Sequence, residues 1–433
     1  MGTKGDYICL VIYSVLWIIT ICKYKRIQGR WTLGYMILLL YTFMSLVSIH
    51  CYSSPYASLK FEPDLTIFPF LYLYGMIVLS AYPLLQLKEK ELTHIILPSY
   101  RLLNIIAISC IVLSILHVVS ILPDLKSGII MMFADSDNAI DLYNDATSAK
   151  FGSAASTQDG INIVSILSGQ SLVFLPLVFY LYLIIPRKNK LILTLLTLCL
   201  LILPLEGVSK ANRQMMVLSI LEVLFLFFFF KDFISNSLRK KFRFFLVGIL
   251  AFFGVIFISI TLVRTSMTSE DMDYVIFGVE RYFAEGPIVF NDCIDANGTR
   301  EGNRVFPLLK MAIGEPVLSA SEMRSKYSMM TVDSSRFSTY VGDFVLDYGP
   351  ISTFIIFSLF SLVCSRVLRH KRILKIQNIL LIYLIMKLCT GFYQCTLIGV
   401  ANNISVVLII MLYVFFSYMY HSSKKIVIIK EEL

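Results

Sequence analysis

Charge is what this 433-residue chain has least of: 15% of its residues are Asp, Glu, Lys or Arg, against 57% hydrophobic. A soluble domain carries about 25% charged residues, so the composition excludes an ordinary water-soluble fold and implies a polytopic membrane protein. Histidine is scarce as well, with five residues that do not cluster. No HExxH, no CxxC and no Cys/His spacing suited to zinc occurs, so no metal centre is expected. GxGxxG, Walker A and GxSxG motifs are missing, which removes dinucleotide, P-loop and serine-hydrolase chemistry. No cofactor is expected. No Pro-rich or Ser-rich linker divides the chain, and residues 1–433 read as one integral membrane domain.

The net charge of +9 invites a nucleic-acid reading, but the basic residues stand in short clusters between apolar runs. That is the positive-inside pattern of membrane proteins, so no nucleic-acid partner is expected. Nine cysteines are scattered, most of them inside apolar runs, where they serve as small packing residues.

Apolar runs fall at roughly 7–22, 33–51, 65–86, 102–122, 162–185, 190–206, 214–230, 244–263, 349–367, 376–395 and 399–420. Each is near the ~20 residues a bilayer requires. The reading is therefore an all-α polytopic membrane protein with about eleven transmembrane helices. The loops after spans 1, 3, 5, 7, 9 and 11 hold 23 Lys and Arg, and the short loops of the other set hold 4. This asymmetry predicts an outer N-terminus, a cytoplasmic C-terminus, and two outer loops, 123–161 and 264–348. The second is far longer than a connection requires, and loops of that size usually carry lids or binding elements.

Cations gather at the outer ends of spans. Lys210 and Arg213 lie in the turn EGVSKANRQ, Arg264 ends span 8, Arg281 follows in ERYFAEGP, and Arg336 opens RFSTYVGDFVLDYG. Guanidinium forks in this position suit a lipid-linked phosphate, and anchoring to lipid headgroups is the competing explanation. Asp343 and Asp347 are spaced to share one helix face. Asp343, between Tyr340 and Phe344, is the first candidate general base toward a sugar hydroxyl; Asp347 is the second catalytic candidate, and it also fits a cap at the start of span 9. Tyr282 and Tyr340 are the candidate sugar-stacking rings. Glu280 and Glu285 beside Arg281 fit a structural ion pair. Glu222 and Lys387, both near mid-depth in antiparallel spans, are positioned to pair. Asp135-Ser136-Asp137 has the form of a nucleotide-sugar DxD but falls on the outer side, where nucleotide sugars are absent.

The segment FGVERYFAEGPIVFND, followed by STYVGDFVLDYGPIS and preceded by the basic turn SKANRQMM, resembles the bacterial O-antigen and capsular polysaccharide repeat-unit polymerases of the Wzy type. The resemblance implies a GT-C-like, metal-independent glycosyltransferase of the inner membrane. Such an enzyme moves a growing glycan from undecaprenyl pyrophosphate to a lipid-linked repeat unit. It further implies a chain-length regulator and a flippase as partners beside the bilayer. In departure from the related ligases, no histidine lies in the large loop. A polysaccharide ligase and a lipid-linked oligosaccharide flippase or transporter are the alternatives.

Overall fold

A computed structural model describes residues 4–29, 31–61, 64–134, 163–209, 213–266, 272–332, 336–369, 371–419 and 425–430. The helices are α1 (Lys4–Gln28), α2 (Leu33–Ser53), α3 (Ile67–Leu85), α4 (Tyr100–Ala134), α5 (Ile163–Ile184), α6 (Lys190–Cys199), α7 (Ile202–Ser209) and α8 (Arg213–Phe230). They continue with α9 (Asn236–Ser266), α10 (Met272–Ile294), α11 (Pro307–Ala312), α12 (Ala320–Lys326), α13 (Thr339–Leu368), α14 (Ile376–Cys389) and α15 (Val400–Met419). Among the described residues, nine helical segments are long and apolar enough to cross a membrane, α6 and α7 forming one of them. The chain is thus a mostly helical, multi-pass membrane protein. The other two apolar runs hold α8 and the shorter α14. Large apolar side chains remain exposed along the helix flanks, such as Ile19 on α1, Phe244 and Val255 on α9 and Ile410 and Met411 on α15. Hydrocarbon is the solvent that suits such flanks.

To the helices the structure adds a three-stranded sheet absent from the sequence reading, in the order β2 (Ile373–Lys375), β1 (His94–Leu97), β3 (Ile426–Ile429). β1 pairs in parallel with β2 and antiparallel with β3. The strands come from the loops after α3, α13 and α15, three of those read as basic. Lys231 after α8 donates to the Trp31 carbonyl after α1 at 2.6 Å, and Lys430 pairs with Asp232 at 3.3 Å. Five of the basic loops therefore meet at one end of the bundle. At the opposite end Asp6 accepts from the Leu65 amide at 2.9 Å and Asn291 from the Thr66 amide at 2.9 Å.

The expected entry of span 9 is corrected. Tyr72 on α3 donates to the Pro350 carbonyl at 2.5 Å, and Gln86 at the end of α3 donates to the Ser365 carbonyl at 3.0 Å. Pro350 to Leu368 therefore runs beside α3 from its first turns to its last, toward the end that holds the sheet. Tyr340 lies the other way, with its hydroxyl 2.5 Å from Ser80 and its ring 5.8 Å from Phe357. Thr339–Tyr348 is thus a short re-entrant helix that rises from within the bundle, turns at Gly349 and descends as the span. Gly349 permits the reversal because its φ of 78° and ψ of 164° belong to a region open almost only to glycine.

α14 is the second departure, since the run read as 376–395 is helical only to Cys389. A helix that stops at membrane depth must satisfy its last carbonyls within the protein. Tyr41 donates to the Cys389 carbonyl at 2.8 Å, and the hydroxyls of Thr390 and Thr396 donate to that of Lys387 at 2.9 and 2.5 Å. The irregular stretch 390–399 then lies along the re-entrant helix: the Thr339 amide donates to the Tyr393 carbonyl at 3.1 Å and the Tyr340 amide to the Gly391 carbonyl at 2.8 Å. α10 closes on this stretch through Gly286, where a Cβ would meet the Phe392 carbonyl oxygen at 2.7 Å.

Candidate functional site

Where the re-entrant helix meets the 390–399 stretch, four charged side chains are sealed together. Asp343 and Asp347 do share one helix face, and Arg300 and Arg304 of the large loop have the same spacing. Arg300 Nε lies 2.8 Å from Asp347 Oδ1, and its Nη2 lies 3.3 Å from Asp343 Oδ1. Arg304 Nε lies 3.2 Å from the same Asp343 oxygen. The second oxygen of Asp343 accepts from the Cys395 amide at 2.7 Å. That of Asp347 accepts from the Arg304 and Val305 amides at 3.1 and 2.7 Å. Burial disfavours the Arg300 charge, but the two carboxylates outweigh it and raise its hold on the proton. A buried charge pair of this kind persists because each partner would cost far more alone.

Three expectations are corrected here. On an unbroken helix entering span 9, Asp343 would face a sugar hydroxyl one turn further out than Asp347. It lies one turn deeper instead, because Gly349 reverses the chain, and its side chain is fully buried. Asp347 does accept backbone amides as a cap would, but those of the Arg304–Val305 turn, not those of its own span. Tyr340 is equally sealed, so its ring packs on Phe357 and is closed to a sugar.

The same loop makes a second grouping, a cluster of rings flanked by two part-exposed arginines. Tyr282 on α10 packs against Phe337 with ring centroids 6.1 Å apart, and both pack on Tyr393, at 4.0 and 5.4 Å. Phe257 of α9 closes on Tyr282 at 5.4 Å. The chain neighbours of the two loop rings are Arg281 and Arg336, whose side chains stay 35% and 34% exposed. Arg281 Nε holds Glu285 at 2.9 Å, the ion pair expected there, and Arg336 stands 3.9 Å from Asp292. Each guanidinium keeps further donors for an anion.

A third charged centre lies toward mid-depth. Lys387 Nζ is 2.9 Å from Glu222, as the opposed spans predicted, and the Tyr383 hydroxyl donates to the same carboxylate. The 390–396 stretch joins the two ionic centres, since Thr396 binds the Lys387 carbonyl and Gln394 accepts from Arg304 at 3.0 Å.

The remaining expected residues are apart from this. Lys210 and Asp135-Ser136-Asp137 lie outside the described residues, as does most of the 123–161 loop. Arg213 opens α8 and Arg264 falls near the end of α9, and their side chains are likewise outside the described set. No group of three or more His, Cys, Asp or Glu able to hold a metal occurs among the described residues. The sequence reading missed Arg300, Arg304, Gln394 and Tyr393. Its one available signal was the matched four-residue spacing of Arg300/Arg304 and Asp343/Asp347.

Compared with protein-family models, with curated proteins and with solved structures, the chain has no match.

Proposed function

We propose that this protein is a membrane glycosyltransferase that joins lipid-linked oligosaccharide repeat units at the outer face of the bacterial inner membrane. One observation carries the reading: two Arg-aromatic pairs, Arg281-Tyr282 and Arg336-Phe337, come from separate parts of the loop and meet ring to ring on Tyr393. Guanidinium groups balance the charge of a pyrophosphate, and the largely buried rings tie together the two segments that carry them. The acceptor hydroxyl oxygen attacks the anomeric carbon of the donor glycan. The bond to undecaprenyl pyrophosphate breaks, and its electron pair leaves with the phosphate oxygen, where Arg281 and Arg336 stabilise it. The hydroxyl proton passes to a carboxylate, a role that the sealed Asp343 does not fill. Asp343 and Asp347 act by positioning the loop.

The two interrupted helices favour a second reading, since transporters bind their cargo where helices break at membrane depth. Deletion of the gene, with surface polysaccharide examined by gel, separates the two. Single repeat units on the lipid anchor are expected. Loss of all surface glycan with internal accumulation identifies a transporter, and full-length unattached polymer identifies a ligase. With purified lipid-linked repeat units, Arg281→Ala and Arg336→Ala should each lower turnover at least tenfold, and Arg281→Ala should also melt lower because it strands the buried Glu285. Arg→Lys should rescue poorly because a point charge cannot replace the fork.

A further inference from the structure

The large loop carries an apolar knob that the site does not use. In PLLKMAIGEP, at and just beyond α11, Leu309, Met311 and Ile313 are 62%, 48% and 65% exposed. They are separate from the ring cluster and from the buried charges. Three large apolar side chains within five positions, held in a fixed turn and left bare to water, are costly. Their surroundings say what covers them.

α11 is fastened to the outer end of α15. The Leu308 amide donates to Asn403 Oδ1 at 3.2 Å, Asn403 donates to the Val305 carbonyl at 2.9 Å, and the Gly399 amide donates to the Arg304 carbonyl at 3.3 Å. α15 has 20 residues, about 30 Å at 1.5 Å per residue, which matches the hydrocarbon thickness of a bilayer. Asn403, in its first turn, therefore sits at the level where acyl chains give way to headgroups, and α11 sits beside it. The flank of α15 just below exposes Val407, Ile410, Met411 and Val414. The bare knob thus continues a lipid-facing surface. Lys310, within the knob, reaches Glu315 at 2.7 Å, so its charge is matched and its stem can lie along apolar surface.

We infer that the 308–314 turn is an interfacial anchor, with Leu309, Met311 and Ile313 inserted among the acyl chains and headgroups of the leaflet surrounding α15. The anchor directly follows Arg300–Val305, the strap that Asp343 and Asp347 hold. The leaflet therefore grips the strap from one side while the buried carboxylates grip it from beneath. The inference is independent of the substrate, and holds for a polymerase or a transporter alike.

Photo-crosslinking tests it on the full chain. A benzophenone amino acid is placed in turn at 309, 311 and 313, and at Lys326, a half-exposed ion-paired position on the same loop. The protein is reconstituted in nanodiscs of phosphatidylglycerol and phosphatidylethanolamine and irradiated, and adducts are read by intact mass. Lipid adducts at 309, 311 and 313, several-fold above those at 326, are expected. Crosslinks from all three into a second copy of the chain, or lipid adducts no greater than at 326, overturn the anchor. Three separate positions protect the test from a single variant that folds poorly, and each is checked for monodispersity before irradiation.

Discussion

Arg300 and Asp347 meet with Nε 2.8 Å from Oδ1, and neither side chain is more than 1% exposed. Asp347 also accepts two amides of the Arg304–Val305 turn, so one carboxylate fixes both the side chain and the backbone of the strap above it. Removing one partner of such a pair strands the other charge in a dry setting, which costs about 3–5 kcal/mol. Arg300→Met should therefore lower the melting temperature of the purified protein sharply. Arg300→Met combined with Asp347→Leu should recover part of the loss, because apolar replacement of both partners is often tolerated. A wild-type melting curve for Arg300→Met alone would remove the pair from the structural account.

Gly349 is the pivot between the re-entrant helix and its span. A Cβ there would approach nothing more closely than Thr299 Cγ2 at 4.0 Å, so space is not the obstacle. The backbone conformation is, and holding a residue with a side chain in it costs on the order of 1–3 kcal/mol. Gly349→Ala should destabilise by that amount, and Gly349→Ser equally, since the penalty comes from Cβ. A graded loss that follows side-chain size would point to crowding instead.

The Lys387–Glu222 pair closes the bundle, and substituting both partners separates that role from any other. If it only closes the bundle, Lys387→Met with Glu222→Leu should melt within a few degrees of the parent and retain turnover, while either single substitution melts lower. If the pair also serves transport or transfer, the double variant stays folded and loses function. The bonding of Thr390 and Thr396 to the Lys387 carbonyl, which needs no charge, supports the first outcome.

Topology is open to direct chemistry. Ser235 lies at the end that gathers the basic loops, and Thr299 lies beyond the buried charges on the large loop. In a Cys-depleted background and intact cells, an impermeant maleimide should label Thr299→Cys and leave Ser235→Cys untouched. The reverse pattern inverts the orientation of every helix.

The multi-pass helical character of the chain and the grouping of its basic loops were legible in its sequence, because hydropathy and basic-loop asymmetry are local properties that survive any packing. The apolar runs, the grouping of alternate loops at one end, and the pairing of Glu222 with Lys387 all follow from depth and direction alone. The sheet was not legible, because its strands are short and lie far apart in the chain. Asp343 shows the limit most clearly. Its helical spacing from Asp347 could be read, but whether it faced solvent or the bundle turned on one glycine two residues beyond Asp347. Gly349 reverses the chain, and Arg300 and Arg304 are drawn in because two carboxylates carried to that depth must be neutralised. Periodicity gives the face of a helix. Only tertiary structure decides which way the helix points and which distant charges its burial requires.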